Sequence, residues 1–192
     1  MILQLSNVRL RKPEPKDLAP LYEQKNDPEV AGLLGGFSSG YARADLADWI
    51  EFHRQRKDEI VWVIADAETD ECLGHVGLYK LDHRIRSAEF AILLGDKKRW
   101  GQGIGREVTR RVVDYGFQML NLNRIELNVL EYNERARRLY QSLGFREEGL
   151  LRQAQYKEGQ YLNLVLMGLL REEYQPDRPP VAECLSLTGL RA

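Results

Sequence analysis

Hydrophobic positions along this chain switch between a period of two and a period near 3.6, and each switch marks an element. Val8-Arg9-Leu10-Arg11 alternates as a half-buried strand does, and Pro13 and Pro15 end it. Leu18, Leu21 and Tyr22 then recur at helical spacing behind Asp17, a candidate cap, until Asn26-Asp27-Pro28 breaks the helix. Gly32 to Gly40 holds four glycines and two serines and reads as a mobile loop. A second helix is predicted over Asp45 to Arg56, with Leu46, Trp49, Ile50 and His53 on one side.

Ile60–Ala65 and Cys72–Leu81 read as strands joined through Glu68-Thr69-Asp70-Glu71, and Ala88–Leu94 as the next strand. Arg106–Leu120 is a long helix with Val108, Val112, Phe117 and Leu120 among its apolar positions. Ile125, Leu127 and Val129 alternate with Arg124, Glu126 and Asn128, so Arg124–Leu130 is a strand. Asn133 suits the N-cap of a helix carrying Ala136, Leu139, Tyr140 and Leu143, and Gly144 stops it. Phe145–Tyr156 and Leu162–Leu170 form a closing hairpin around Lys157-Glu158-Gly159. From Gln175 the tail carries three prolines and reads as irregular or as a segment that packs on a neighbour. The sum is a mixed α/β (α+β) domain over 1–174 with a tail over 175–192.

Composition narrows the class. A chain of 192 residues suits one domain with a sizeable core. A net charge of −1 offers no global attraction to nucleic acid or to an anionic membrane, so neither is expected as a partner. Two cysteines, Cys72 and Cys184, are too few for a disulfide framework. Met1 to Leu10 lacks a signal pattern, and the expected setting is the cytoplasm.

The chemistry gathers at Lys98-Arg99-Trp100-Gly101-Gln102-Gly103-Ile104-Gly105-Arg106, between a predicted strand and a predicted helix. Alternate glycines leave several N–H groups bare, and the helix dipole adds positive potential, which together make an anion cradle suited to a pyrophosphate. Lys97, Lys98, Arg99 and Arg106 flank it. Three readings compete. One is a glycine turn with no ligand. Another is a dinucleotide site, for which Glu126 is the required acid but the third glycine falls at 105, one place early. The third is an acyl-coenzyme A loop.

The residues that follow favour the third. Asn133-Glu134-Arg135-Ala136-Arg137-Arg138-Leu139-Tyr140-Gln141-Ser142-Leu143-Gly144-Phe145 matches N-x-x-A-x-x-L-Y-x-x-x-G-F. With the glycine loop before it, the chain resembles the GNAT superfamily of N-acetyltransferases from about Asn7 to about Tyr174. Trp100 stands where the strict loop motif Q/R-x-x-G-x-G/A begins, as in the subgroup containing ribosomal-protein N-terminal and polyamine acetyltransferases. His83 to Phe90 and Gly159 to Asn163 are similar to bacterial spermidine/spermine acetyltransferases.

The resemblance implies a mostly antiparallel sheet of about seven strands with helices on both faces. It also implies that Ala88–Leu94 and Arg124–Leu130 splay apart to admit the pantetheine arm of acetyl-CoA, with no metal. Backbone from Ile92, Leu93 and Leu94 would pair with that arm, and an N–H near Leu93 or Leu94 would meet the oxyanion. Trp100, Gly101, Gln102, Gly103, Ile104, Gly105 and Arg106 would hold the pyrophosphate; Asn133 would contact the arm, and Arg137 and Arg138 would reach the adenosine phosphate. Tyr140 would protonate the leaving thiol, and Glu89 would take the amine proton. His83 or a water chain stands behind Glu89 as base, while His75 reads as a strand residue and His53 as a helix boundary residue. Asp27, Glu29 and Asp45 are candidates for attracting a polyamine; Trp49 and Trp62 read as core. The expected reaction is direct acetyl transfer to a primary amine, polyamine-like or amino sugar ahead of a peptide N-terminus, with a non-catalytic acyl-CoA sensor as the rival. Many relatives of this kind pair as dimers, and the tail is a candidate for that contact.

Overall fold

The computed structural model describes residues 3–35 and 40–175. The tail beyond 175, Cys184 within it, and the tip of the glycine–serine loop lie outside the described residues. Eight strands form one sheet: β1 (Leu3–Gln4), β2 (Val8–Arg11), β3 (Ile60–Asp66), β4 (Cys72–Asp82), β5 (Ser87–Leu94), β6 (Arg124–Leu130), β7 (Arg146–Lys157) and β8 (Gln160–Leu170), in the order β1-β2-β3-β4-β5-β6-β8-β7. Five helices accompany it: α1 (Leu18–Asn26), α2 (Pro28–Gly32), α3 (Arg43–Gln55), α4 (Ile104–Gln118) and α5 (Glu134–Ser142). Every pairing is antiparallel except β5 with β6. A doubly wound parallel sheet, the frame a dinucleotide site needs, is therefore absent among the described residues.

The core divides along β3. Trp62 and Ile64 enter a large cluster with Val108, Val112 and Phe117 of α4 and Tyr140 of α5. Val63 and Ala65 enter a smaller one with Leu21 of α1 and Leu46 and Ile50 of α3. Alternate side chains of a strand point to opposite faces, so α4 and α5 cover one face and α1 and α3 the other. Gly116 lets α4 lie close to the sheet: a Cβ there would come within 2.8 Å of Ile125 Cδ1.

Several predicted details shift. The helix expected from Arg106 begins at Ile104, because Gly103 is itself the N-cap. Gly32, where the predicted loop starts, instead closes α2, a one-turn helix whose cap is Asp27 accepting from Glu29 and Val30 N–H. Asp17 does not cap α1 with its side chain. Its carboxylate instead accepts both Arg11 terminal nitrogens at 2.7 and 2.8 Å and the Glu14 N–H at 2.8 Å. Both Arg11 and Asp17 side chains are buried, and Asp70 on the β3–β4 turn shares the guanidinium. Lys16, with Arg11 behind it, holds the Asp70 carboxyl far below the ordinary carboxylate range. This network fastens β2 to the start of α1. The β7–β8 turn, Glu158-Gly159, has positive φ at both residues, the hairpin geometry that matches strand twist.

Asp17→Ala leaves the Arg11 guanidinium buried with half its partners. Urea unfolding followed by circular dichroism should show a loss of about 3 kcal/mol. A loss below about 1 kcal/mol would place this pair with ordinary surface bridges.

Candidate functional site

The sheet opens at its one parallel seam. β5 and β6 pair only through Ser87–Arg124, Ala88–Ile125 and Glu89–Glu126. Beyond that point β5 goes on pairing with β4 as far as Leu94, and β6 with β8 as far as Leu130, so the two strands diverge. Backbone groups alternate sides along a strand, and two bonds fix the phase. Gly95 N–H donates to Leu73 O at 2.9 Å, so Leu93 faces β4 while Ile92 and Leu94 face the gap. Glu131 N–H donates to Asn163 O at 3.1 Å, so Asn128 and Leu130 face the gap from β6. Of the two expected oxyanion donors, Leu94 has the right orientation; Leu93 is turned to His75 across β4. A rift edged by unpaired peptide groups calls for a guest with amides of its own.

The glycine loop lies just beyond the open end. Gly101 and Gly103 have φ of +80° and +81°, and a Cβ on either would meet nothing within 4 Å. The N–H groups of Gly101, Gln102, Gly103, Ile104 and Gly105 have no acceptor among the described residues. Those of Ile104 and Gly105 belong to the first turn of α4, and the other three lead into it, at the positive end of the dipole. The Ile104 side chain is buried in the large core and anchors the loop, whereas Gly101, Gln102 and Gly103 are exposed. Gln102 folds back, its amide donating to Lys98 O at 2.9 Å. The Trp100 indole N–H donates to Leu94 O at 2.7 Å, which removes that carbonyl from any pairing in the rift. These features fit the diphosphate and amides of acetyl-CoA: bare donors for the one, open strand edges for the other.

The flanking cations divide. Lys97 is committed to Asp27 and Glu29 at 2.8 and 3.1 Å, and Arg99 to Asp66. Arg106 is exposed beside the cradle. Arg137, expected on the cofactor, donates to Glu147 at 2.7 Å and to Glu131 O at 3.0 Å, on the β7 side of α5. Arg138 pairs with Glu134. It is Arg135 that lies at the loop, its guanidinium carbon 5.6 Å from the Trp100 ring centre. Residues two apart on a helix point about 200° away from each other, so Arg135 and Arg137 cannot serve the same side. That spacing was the available signal; which side faced the loop was not.

Tyr140 and Glu89 approach the rift from opposite faces. The Tyr140 ring packs edge-on to Phe90, 6.1 Å between centroids, within the α4–α5 core. Its hydroxyl has no partner among the described residues, and burial raises its pKa, so the phenol stays protonated well above neutrality. Glu89 neighbours Phe90 and so points to the other face, beside its cross-strand partner Tyr79, whose ring meets His53 of α3. The Glu89 carboxylate is about one-quarter exposed and holds the Lys80 ammonium at 2.6 Å; that contact raises the Lys80 pKa. Lys80 carries its ammonium out to solvent, 80% exposed.

The α1–α3 side is also polar. Lys25 sits over the faces of Trp49 and Tyr41, 4.6 and 5.3 Å from their centroids, and burial lowers its pKa to about 8. His75 is held neutral by burial, then by Lys25 and His53. His53, read as a boundary residue, is largely buried against Glu59. His83 is exposed in the β4–β5 turn, away from the rift. Asp27, Glu29 and Asp45 are not free acids: Lys97 holds the first two, and Asp45 accepts the Ala42 N–H at the start of α3. Asn133 caps α5 through Ala136 N–H at 3.2 Å and donates to Leu33 O at 3.3 Å. Tyr132 donates to Gly32 O, and Lys157 to Ala31 and Leu34 O, so three side chains clamp the end of α2 beside the rift. Trp62 is core and Trp49 is partly buried; Cys72 is a buried free thiol whose pKa burial pushes up to about 12. No helix among the described residues is long and apolar enough to cross a membrane.

Comparison with known proteins agrees with this geometry. A family model described as an Acetyltransferase (GNAT) domain matches residues 7–146. The N-acetyltransferase p20 of Bacillus licheniformis is 33% identical over 174 residues, 90% of this chain and 97% of that protein. Spermidine N(1)-acetyltransferase of Escherichia coli K12 is 32% identical over 170 residues, 88% of each chain. The crystal structure of spermidine N-acetyltransferase from Vibrio cholerae, in complex with CoA and spermine, superposes with a TM-score of 0.81 at 29% identity, covering 88% of this chain and 99% of that one.

Gly103→Val puts a branched side chain where only a guest would be, at a left-handed φ that strains the loop by about 2 kcal/mol. Calorimetry should show CoA binding lost while the circular dichroism spectrum is kept. Affinity that survives would mean that the cradle holds no phosphate.

Proposed function

The chain belongs to the GNAT acetyltransferase family and is an acetyl-CoA-dependent N-acetyltransferase, and we propose that its acceptor is a small polyamine-like primary amine entering from the α1–α3 face. The observation that carries the acceptor reading is the Lys80–Glu89 pair. A primary alkylammonium, tethered by a solvent-exposed stem, already rests on the Glu89 carboxylate at the closed end of the rift, where Glu126 stands across the same rung. An incoming substrate ammonium is the same chemical group and trades places with it at little cost, since exposed ion pairs are weak. The relatives point the same way: two of those compared are spermidine acetyltransferases, one of them solved with spermine.

Acetyl-CoA supplies the activated acetyl group as a thioester. The residues of this chain divide the remaining work. Bare amides from Gly101 to Gly105 take the diphosphate, and Ile92 presents its backbone to the arm. Glu89 seats the substrate ammonium and accepts its proton once the closing site strips it of water; in water an alkylammonium of pKa about 10 would keep that proton. The free nitrogen then attacks the acetyl carbon, and the Leu94 N–H meets the charge that develops on the acetyl oxygen. As the carbon–sulfur bond breaks, the Tyr140 phenol donates to sulfur from the opposite face, the second proton of the acylated nitrogen leaves to solvent, and solvent reprotonates the phenolate. A carboxylate on one face and a phenol on the other keep the proton taken and the proton given apart. Cys72, the cysteine among the described residues, lies in the smaller core with a suppressed thiolate and is not placed to carry the acetyl group, which favours direct transfer.

The test is thiol release from acetyl-CoA with spermidine, spermine, amino sugars and peptides with free N-termini. The polyamines should give the highest kcat/KM, and a peptide that outruns them would overturn the acceptor assignment. In the same assay Tyr140→Phe should lower kcat about 100-fold with CoA affinity unchanged. A fall of less than about threefold would remove the phenol from the reaction.

A further inference from the structure

Trp100 stands at the entrance of the glycine loop, and its one polar side-chain atom is already engaged. The indole N–H donates to Leu94 O at 2.7 Å, and the main-chain N–H of the same residue donates to Lys97 O at 3.1 Å. An indole has no other donor, so Trp100 has none left for a diphosphate. The ring is half-buried with the Arg135 guanidinium over it, and so is held in place before any ligand arrives. Its acceptor is not an arbitrary carbonyl. Leu94 ends β5, and with Ile92 it turns its peptide groups to the rift.

We propose that Trp100 is a positioning residue that sets the register of the coenzyme arm along β5. The proposal rests on the reading that this arm lies in the rift and pairs with the β5 edge. An extended amide chain on a strand edge can pair in registers two residues apart, a slide of about 7 Å. With both carbonyls open, Ile92 and Leu94 would offer the arm two equivalent acceptors, and the thioester would settle in two places. By taking Leu94 O, Trp100 leaves Ile92 O as the acceptor of that pair, while the Leu94 N–H stays free. The thioester therefore stops at one point relative to Tyr140 and Glu89. The selection matters because misplacing a reacting group by about 1 Å can slow a reaction about 100-fold.

Trp100→Phe tests this, because it keeps a ring beneath Arg135 and removes the donor. Its kcat with acetyl-CoA and the fastest acceptor of the amine panel should fall by about tenfold or more. Calorimetric CoA affinity should stay within about threefold, since the freed carbonyl gains the coenzyme as a partner. Trp100→His puts back a ring N–H and should recover part of kcat. In nitrogen-15 spectra the Trp100 indole proton, assigned by its loss in Trp100→Phe, should exchange no faster with CoA bound than without. Faster exchange would mean that the coenzyme takes Leu94 O from the indole and would overturn the proposal. So would an unchanged kcat in Trp100→Phe, a parallel fall in kcat and affinity, or a His variant no faster than the Phe one. CoA that binds yet leaves amide exchange at Ile92 unaltered would overturn the rift reading itself.

Discussion

The early end of hydrogen bonding between β5 and β6 organises everything else in this protein. Three rungs hold the strands together, and then each follows its other neighbour. The result is a rift whose edges are main-chain groups. Such groups are costly to leave unmet in a protein interior, so the rift selects a ligand that is itself amide-bearing and extended. The glycine loop continues the same logic at the rift's open end, where N–H donors lack acceptors because they open a helix and side chains are missing in front of them. On the proposed reading, affinity for the coenzyme rests largely on backbone, and side chains are left to handle protons and selectivity.

The two faces of the sheet give that rift its direction. Tyr140 belongs to the apolar core under α4 and α5, where burial keeps its proton in place. Glu89 belongs to the polar face shared with α1 and α3 and already carries an ammonium. This separation follows from strand alternation alone: Glu89 and Phe90 are adjacent, so one must look away from the other. The clamp from Tyr132, Asn133 and Lys157 onto the end of α2 brings that helix to the turn before α5. Lys97 ties the start of α2 to the approach of the glycine loop. Both ends of α2 are therefore fastened to elements that flank the rift and the glycine loop.

Much of this was legible in the chain. Arg124 to Val129 alternates, and the strand has the predicted bounds Arg124–Leu130; the cap at Asn133 and the stop at Gly144 also stand where the residue types demand them. Local periodicity fails where tertiary geometry decides. The α4 start moved to Ile104 because glycine has no side chain to signal a helix, although its left-handed backbone is what begins this one. Asp17 has the chemistry of a cap, but a buried arginine competes for it. The choice between Arg135 and Arg137 needed the rotation of α5 about its axis, which Tyr140, Glu147 and Trp100 fix only in three dimensions. Lys80 carries no motif at all; its role comes from a register shift in β4 that sets it beside Glu89.

The central claim is that main-chain amides in the rift and the cradle hold the coenzyme. Amide hydrogen exchange of the protein with and without CoA, resolved residue by residue, tests it most directly. Binding should slow exchange at Gly101 to Gly105 and at Ile92 and Leu94, and leave the β3–β4 pairing unchanged. Protection that spares the glycine loop and the β5 edge while CoA is demonstrably bound would contradict the account.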